Sequence, residues 1–338
     1  MKKGIAEHSD PALALRGLVN AFQKSRIVLT AFELDIFTVL HNAELTSAEL
    51  AGKCSTNVRY SDRLLNALCA LELLIKEDNK FRNSPTAEEY LVKGNPLYMG
   101  GLMHSVHLWH TWSNLTQSVK TGKPAAPEAI NDRGTDWLTA FIAAMHDRAR
   151  QQAAASVALL NLDGVKHILD LGGGSGAFAM AFVNAHEGIS ATVFDLPNVT
   201  PITEKYIIDN GFSGRIKTLT GDYTHDNIGT GYDMIFLSAI IHSNSHEVNE
   251  RLIAECATAL NPGGQLVIQD HIMSEDRTQP LAGAIFALNM LVGTMAGDTF
   301  TSSEIKQWMT KAGLTGFVLQ PAPQGISQLI GVKTKLTV

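Results

Sequence analysis

Between His167 and Ala185 the chain runs a short apolar stretch into a cluster of glycines and then into a helical pattern. His167-Ile168-Leu169-Asp170-Leu171 is followed by Gly172-Gly173-Gly174-Ser175-Gly176 and by the apolar run Ala177 to Ala185. This segment constrains the fold more than any other. Glycines permit positive φ and let a ligand approach the backbone closely, at the start of a helix whose amides point towards it. A strand, glycine turn and helix in that order open a doubly wound α/β domain, and alone they suit NAD as well as other cofactors. Two acids narrow the choice. Asp170 stands two residues before Gly172, where a pyrophosphate would bring unwelcome negative charge. A carboxylate there suits a ligand with a cationic head, such as the α-ammonium of a methionine moiety. Asp195 ends the next strand, Ala191 to Asp195, 23 residues after Gly172, the spacing of an acid that grips ribose hydroxyls.

The rest of the chain divides in two. Residues 165 to 335 alternate β-branched runs with helices of ten or more residues, the trace of a parallel α/β sheet. Residues 10 to about 160 are helical almost throughout. Within them, Ala12 to Leu40 holds two helical patterns joined near Ser25, and Thr46 with Glu49 has capping-box spacing. A helix is predicted over Tyr60 to Leu74. Leu74-Ile75-Lys76-Glu77 and Lys80-Phe81-Arg82-Asn83 then flank Asp78-Asn79 as a hairpin. Helix, turn, helix and hairpin form a winged-helix pattern. With 338 residues the chain has room for more than one core. We expect a winged-helix-like unit over residues 1–105, connecting helices over 106–160 and a Rossmann-like domain over 161–338.

Charge decides what the winged helix is for. The whole chain carries 27 basic and 33 acidic residues, a net charge of −6. From His41 to Asn95 seven basic residues face eight acidic ones. A DNA reader needs a basic face, because counterion release supplies most of its affinity. Neither nucleic acid nor an anionic membrane is an expected partner, and the module reads as a structural or dimerisation unit. Cys54, Cys69 and Cys256 are widely spaced and odd in number, which suits reduced thiols of a cytoplasmic protein. No apolar signal segment opens the chain, and Leu281 to Ala296 is too short to span a bilayer.

Four motifs in order carry a resemblance. The chain resembles the S-adenosylmethionine-dependent small-molecule O-methyltransferases of plants and bacteria over essentially its whole length. Asp170-x-Gly172-Gly173-Gly174-x-Gly176 matches that family's first motif, and Phe194-Asp195-Leu196-Pro197 its ribose-binding acid. Gly221-Asp222-Tyr223 matches the element whose acid and ring contact adenine, and Asn261-Pro262-Gly263-Gly264-Gln265-Leu266 the turn before the fifth strand. The resemblance implies a Rossmann-like catalytic domain behind an N-terminal dimerisation domain, a homodimer, a small-molecule acceptor and no metal. It implies S-adenosylmethionine as cofactor, S-adenosylhomocysteine as product, and Met145 and Ser238 as further cofactor contacts.

His242 follows the buried strand Tyr232 to Ile241, at the sheet edge where ligands of doubly wound folds sit. In the plant-type enzymes the matching histidine is a general base, and Asp270 falls where that family places its orienting acid. Phe141, Met145 and Arg148 share one helical face, Trp109 and Trp112 another, and all are pocket candidates; Phe141, Trp109 and Trp112, with Asn289 and Met290, are the candidate substrate contacts. Ordinary core packing at helical period explains these equally well. The chain also departs from the family. The usual His-Asp-Trp is His242-Ser243-Asn244, its lysine is Ser238, and its second orienting acid falls near Thr299, beside Asp298. S-, N- or C-methylation therefore stays open beside O-methylation. A nicotinamide oxidoreductase and a non-enzymatic regulator are the remaining classes. The triplet His104, His107, His110 and the pair His242, His246 lack companion cysteines or carboxylates, so pocket-lining imidazoles are expected rather than a metal site.

Overall fold

The structure, a computed structural model, describes residues 10–125 and 134–335. The chain divides into two compact units between His107 and Leu108.

In the first unit the helix Pro11–Glu33 starts at Asp10, whose carboxylate accepts the Ala12 and Leu13 amides. No break occurs at Ser25: without glycine or proline there, the helix continues to Glu33. The chain turns instead at Asp35, which adopts φ 58°, before the short helix Ile36–Val39. Strand β1 (Leu45–Thr46) leads into the helix Ser47–Lys53 through the Thr46–Glu49 capping box, as the spacing predicts. The next helix, Val58–Ala70, stops short of the predicted Leu74 because Glu72 takes φ 61°. Leu74 opens a strand instead. Strands β2 (Leu74–Glu77) and β3 (Lys80–Asn83) pair across Asp78 and Asn79, both at positive φ, the turn that matches strand twist. The antiparallel order is β1-β3-β2. Phe37, Leu50, Leu65, Leu68 and Phe81 make the core of this unit, each at most 1% exposed.

The second unit is built on a seven-stranded sheet. Its strands are β4 (His167–Leu171), β5 (Ser190–Asp195), β6 (Ile216–Thr220), β7 (Tyr232–Ser238), β8 (Leu260–Asp270), β9 (Leu314–Pro321) and β10 (Ser327–Lys333). Their order is β6-β5-β4-β7-β8-β10-β9, with β10 antiparallel to both neighbours and the other pairs parallel. Chain order reverses at β4, which has β5 on one side and β7 on the other. That switch point is where a doubly wound sheet opens its ligand crevice. One apolar cluster, including Leu237, Ile268 and Trp308, covers one set of contacts; another, including Ile168, Phe182, Val193 and Phe236, covers the second. Cys256 lies in the first cluster, while Cys54 and Cys69 are half-buried. No helix among the described residues is long and apolar enough to cross a membrane.

Candidate active site

The glycine turn leaves β4 with Gly172, Gly174 and Gly176 at φ 68°, 57° and 75°. A side chain at Gly172 would also meet Ile240, whose Cδ1 lies 2.2 Å from the ideal Cβ position. Gly173 is required for a different reason: a Cβ there would come within 2.7 Å of the Asp170 carboxyl. Asp170 therefore lies under the loop, 1% exposed, with Oδ2 accepting the Ala179 amide at 3.0 Å. Its other oxygen is buried and has no hydrogen-bond partner among the described residues. Burial pushes the Asp170 carboxyl up to about 7, against the pull of that amide.

Asp195, at the end of β5, ties the turn to the next strand. One carboxylate oxygen accepts the Gly174 amide at 2.8 Å and the other accepts the Leu196 amide at 2.8 Å. Burial lifts this carboxyl to about 6, although both amides oppose the shift. Asp222 follows β6. Its Oδ1 accepts the Thr224 amide and hydroxyl, so the acid is held in a local turn. Tyr223 donates its hydroxyl to Asn244 Oδ1 at 3.0 Å, and burial pushes the phenol up to about 12. Ser238, the last residue of β7, accepts from Gln269 Nε2 at 3.0 Å.

The strand predicted to reach Ile241 ends at Ser238, because Ala239 turns to φ 59°. His242 then sits on the short 3-10 helix Ile241–Ser243. Asn249 caps that helix by donating to the Ile241 carbonyl at 2.8 Å. At the end of β8, Asp270 faces the histidine: His242 Nδ1 lies 2.9 and 3.0 Å from its two carboxylate oxygens. Burial alone would raise the Asp270 carboxyl, but attraction to His242 and the hydrogen bonds it accepts hold it below the ordinary range. With Nδ1 committed to Asp270, Nε2 is the ring nitrogen left for another partner. Asp298 is not a second orienting acid. Its amide donates to the His242 carbonyl at 2.9 Å, while its side chain turns to the Thr299 amide and towards Arg277.

The helix Thr135–Val157 carries Phe141, Met145 and Arg148. Phe141 stacks on Trp137, with ring centroids 5.1 Å apart. Two histidines escape a reading based on helical faces and strand ends. His146 lies beside Met145, off the face that spacing picks out. It meets the Ser175 hydroxyl of the glycine turn at 2.9 Å and stacks on Tyr206. His271 comes straight after Asp270; its Nε2 lies 3.4 Å from Arg148. Trp112, at the end of the helix Leu102–Trp112, donates its indole N–H to Asn289 at 2.9 Å. Trp109 stands three residues earlier on that helix, where its carbonyl accepts the Ser113 hydroxyl at 2.8 Å. Asn289 and Met290 belong to the helix Leu281–Gly293, where Met290 is buried. His246 packs edge-on against Trp308 rather than beside His242. Among the described residues no three His, Cys, Asp or Glu side chains gather as a metal site would need.

These residues suit S-adenosylmethionine. A loop that a Cβ would obstruct, an ionisable pair of acids at its two sides and an unpartnered carboxylate oxygen beneath it fit a ligand with ribose hydroxyls and a cationic tail. Comparison with known proteins agrees. The model of the O-methyltransferase domain matches residues 112–315, and that of the O-methyltransferase dimerisation domain matches residues 17–93. The chain is 32% identical to 3-hydroxy-5-methyl-1-naphthoate 3-O-methyltransferase of Streptomyces sahachiroi over 310 residues, 88% of each chain. It is 30% identical to the tetracenomycin polyketide synthesis 8-O-methyl transferase TcmO of Streptomyces glaucescens, over 88% of this chain and 90% of that one. Human N-acetylserotonin methyltransferase, solved in complex with S-adenosylmethionine, superposes with a TM-score of 0.83 over 98% of this chain and all of that one, at 22% identity. The strand order, the glycine turn with its two acids and these matches together identify the chain as a member of the S-adenosylmethionine-dependent O-methyltransferase family, with that family's N-terminal dimerisation domain.

Proposed function

We propose that this protein transfers a methyl group from S-adenosylmethionine to a hydroxyl of a small aromatic molecule, with His242 as general base. The observation that carries this reading is the bidentate hold of Asp270 on His242 Nδ1, which leaves Nε2 as the basic nitrogen. When bound, S-adenosylmethionine supplies a methyl carbon made electrophilic by its sulfonium. His242 would remove the hydroxyl proton at Nε2 as the O–C bond forms and the methyl–sulfur bond breaks with its electron pair left on sulfur, and Asp270 would stabilise the imidazolium through Nδ1–H. A phenol suits this base, since its ordinary pKa of about 10 stands close enough to an imidazole's for concerted proton transfer. Such assistance is worth about 10²–10⁴ in rate; alignment of the reacting atoms supplies the remainder.

Gly172, Gly174, Asp195 and Leu196 hold the ribose and tail side of the cofactor, with Asp170 supplying negative charge from below. Asp222 and Tyr223 take the adenine side, and Ser238 and Met145 complete the contacts. Phe141, Trp109, Trp112, Asn289 and Met290 face the acceptor. The N-terminal region to residue 105 makes a homodimer, 106–160 connects and lines the site, and 161–338 carries the chemistry. The relatives support an aromatic acceptor, two of them being named for naphthoate and polyketide O-methylation.

A screen of candidate acceptors with methyl-labelled cofactor tests this, because it reads which atom receives the label. Label on oxygen of an aromatic ring supports the reading, and label on nitrogen, sulfur or carbon overturns it. Replacement His242→Ala then isolates the base: a loss below tenfold in turnover removes it from that role.

A further inference from the structure

Beside His242 the structure holds a second group of polar atoms that general-base chemistry leaves unused. His271 is 6% exposed, and among the described residues its buried Nδ1 has no hydrogen-bond partner. Its Nε2 stands 3.4 Å from the Arg148 guanidinium. A guanidinium only donates, so Nε2 must present its lone pair and the ring proton must sit on Nδ1. An N–H donor is thereby buried with nothing to accept it, an arrangement that proteins rarely tolerate without a reason. Protonation of the ring is no escape. Burial, reinforced by Arg148 and His242 and opposed by Asp270, holds His271 down at about 4.

Arg148 adds to the surplus of donors. It is half-buried, and among the described residues no carboxylate forms an ion pair with it. Between the two histidines stands Phe286. Its ring centroid is 4.7 Å from that of His242 and 4.7 Å from that of His271. An aromatic wall thus connects the basic nitrogen to the paired donors. With the Asp270 carboxylate committed to His242 and to the His271 amide, the groups left over are the Arg148 guanidinium and His271 Nδ1–H, which suit a ligand group that accepts hydrogen bonds and carries negative charge.

We propose that Arg148 and His271 form a subsite for a carboxylate, or an equivalent oxyanion, borne by the aromatic acceptor. Arg148 supplies charge and a planar fork, and His271 Nδ1–H fixes the orientation of the anion across the Phe286 wall from His242. The inference rests on reading the surroundings of His242 as the acceptor site.

The test uses the full-length protein loaded with S-adenosylhomocysteine and titrated with hydroxynaphthoic acid isomers, each beside its methyl ester and its parent naphthol. At least one acid should bind about tenfold or more tighter than its ester and naphthol. Arg148→Met and His271→Phe should each collapse that ratio to within about threefold, and Arg148→Lys should restore part of it. Retained S-adenosylhomocysteine binding certifies that a variant is folded, and His271→Asn replaces His271→Phe if it is not. A wild-type protein that binds every ester as well as its acid overturns the subsite. So does a folded Arg148→Met variant that keeps the acid preference. Labelled-methyl transfer separates the two readings. A surviving acid preference with label on an atom other than oxygen upholds the subsite and sinks the O-methyl reading. Label on oxygen without acid preference does the reverse.

Discussion

His242 Nδ1 sits within 3.0 Å of both carboxylate oxygens of Asp270, and the two residues are only 8% and 4% exposed. Asp270 ends β8 while His242 sits on the 3-10 turn that follows β7, 28 positions earlier. Removing either partner of such a pair leaves the other buried and uncompensated. His242→Ala should lower kcat about 10²–10⁴-fold with any hydroxyl acceptor. Asp270→Asn keeps the shape and removes the charge, and should cost about 10²-fold or more in kcat with little change in acceptor KM. Steady-state kinetics on a labelled acceptor reads both, and an Asp270→Asn enzyme within threefold of wild type would remove Asp270 from the mechanism. The same pair sets acid stability. A carboxyl held below its unfolded value contributes stability that is present above the unfolded pKa and lost as pH falls through the folded one.

With Asp195 as the proposed ribose-binding acid, cofactor affinity should depend on pH. Its carboxyl titrates at about 6, raised by burial. Ribose hydroxyls donate to the ionised form, so S-adenosylhomocysteine should bind progressively less tightly as pH falls below that value, approaching about tenfold for each pH step of one. Calorimetry across this range measures it. Asp195→Asn should bind weakly throughout and lose this limb of the profile; an unchanged fall in the variant would assign the dependence elsewhere.

Asp170 has the opposite sign for the ligand-free protein. Its carboxyl is raised to about 7, so between its unfolded value and that point the folded chain holds more protons than the unfolded one. The Asp170 contribution to stability then falls as pH rises through this window, with a slope of at most about 1.4 kcal/mol for each tenfold drop in proton concentration. Asp170→Asn should flatten that part of the melting profile while weakening S-adenosylhomocysteine binding. An Asp170→Asn melting profile that runs parallel to wild type from pH 5 to pH 7 without ligand would show that Asp170 ionises in its ordinary range.

Gly172→Ala tests the loop. The new methyl group would stand 2.2 Å from Ile240 Cδ1, at a backbone φ of 68° that disfavours any Cβ. Strain of this kind costs about 1–3 kcal/mol, and the turn must also shift to relieve the contact. Thermal shift should show a protein that melts lower and gains little from S-adenosylhomocysteine. The NAD(H) control matters here, since stabilisation of wild type by NAD(H) instead would return the oxidoreductase reading.

Local signals were strong where one segment determines its own geometry. Asp78-Asn79 gave the hairpin and Thr46-Glu49 the helix start, because those choices depend on residues at most three positions apart. The helix Ala177–Ala185 also lies where its glycine turn requires. Signals failed where one backbone angle ended a pattern that side-chain hydrophobicity would have continued. Glu72 at φ 61° stops a leucine-rich helix before Leu74, and Ala239 at φ 59° sends His242 out of its strand onto a separate turn. Neither residue type advertises such a conformation.

By itself the amino-acid sequence determined the glycine turn, the acids beside it and the alternation that makes a parallel sheet, since periodicity and glycine spacing are properties of short stretches of chain. Only the tertiary structure decided which distant groups meet. Asp170 lies beneath its loop, Asp298 turns to Arg277 rather than His242, and Arg148 reaches His271 across 123 positions. Side-chain direction at a strand end is set by neighbouring strands and helices that pack there, and no local pattern encodes it.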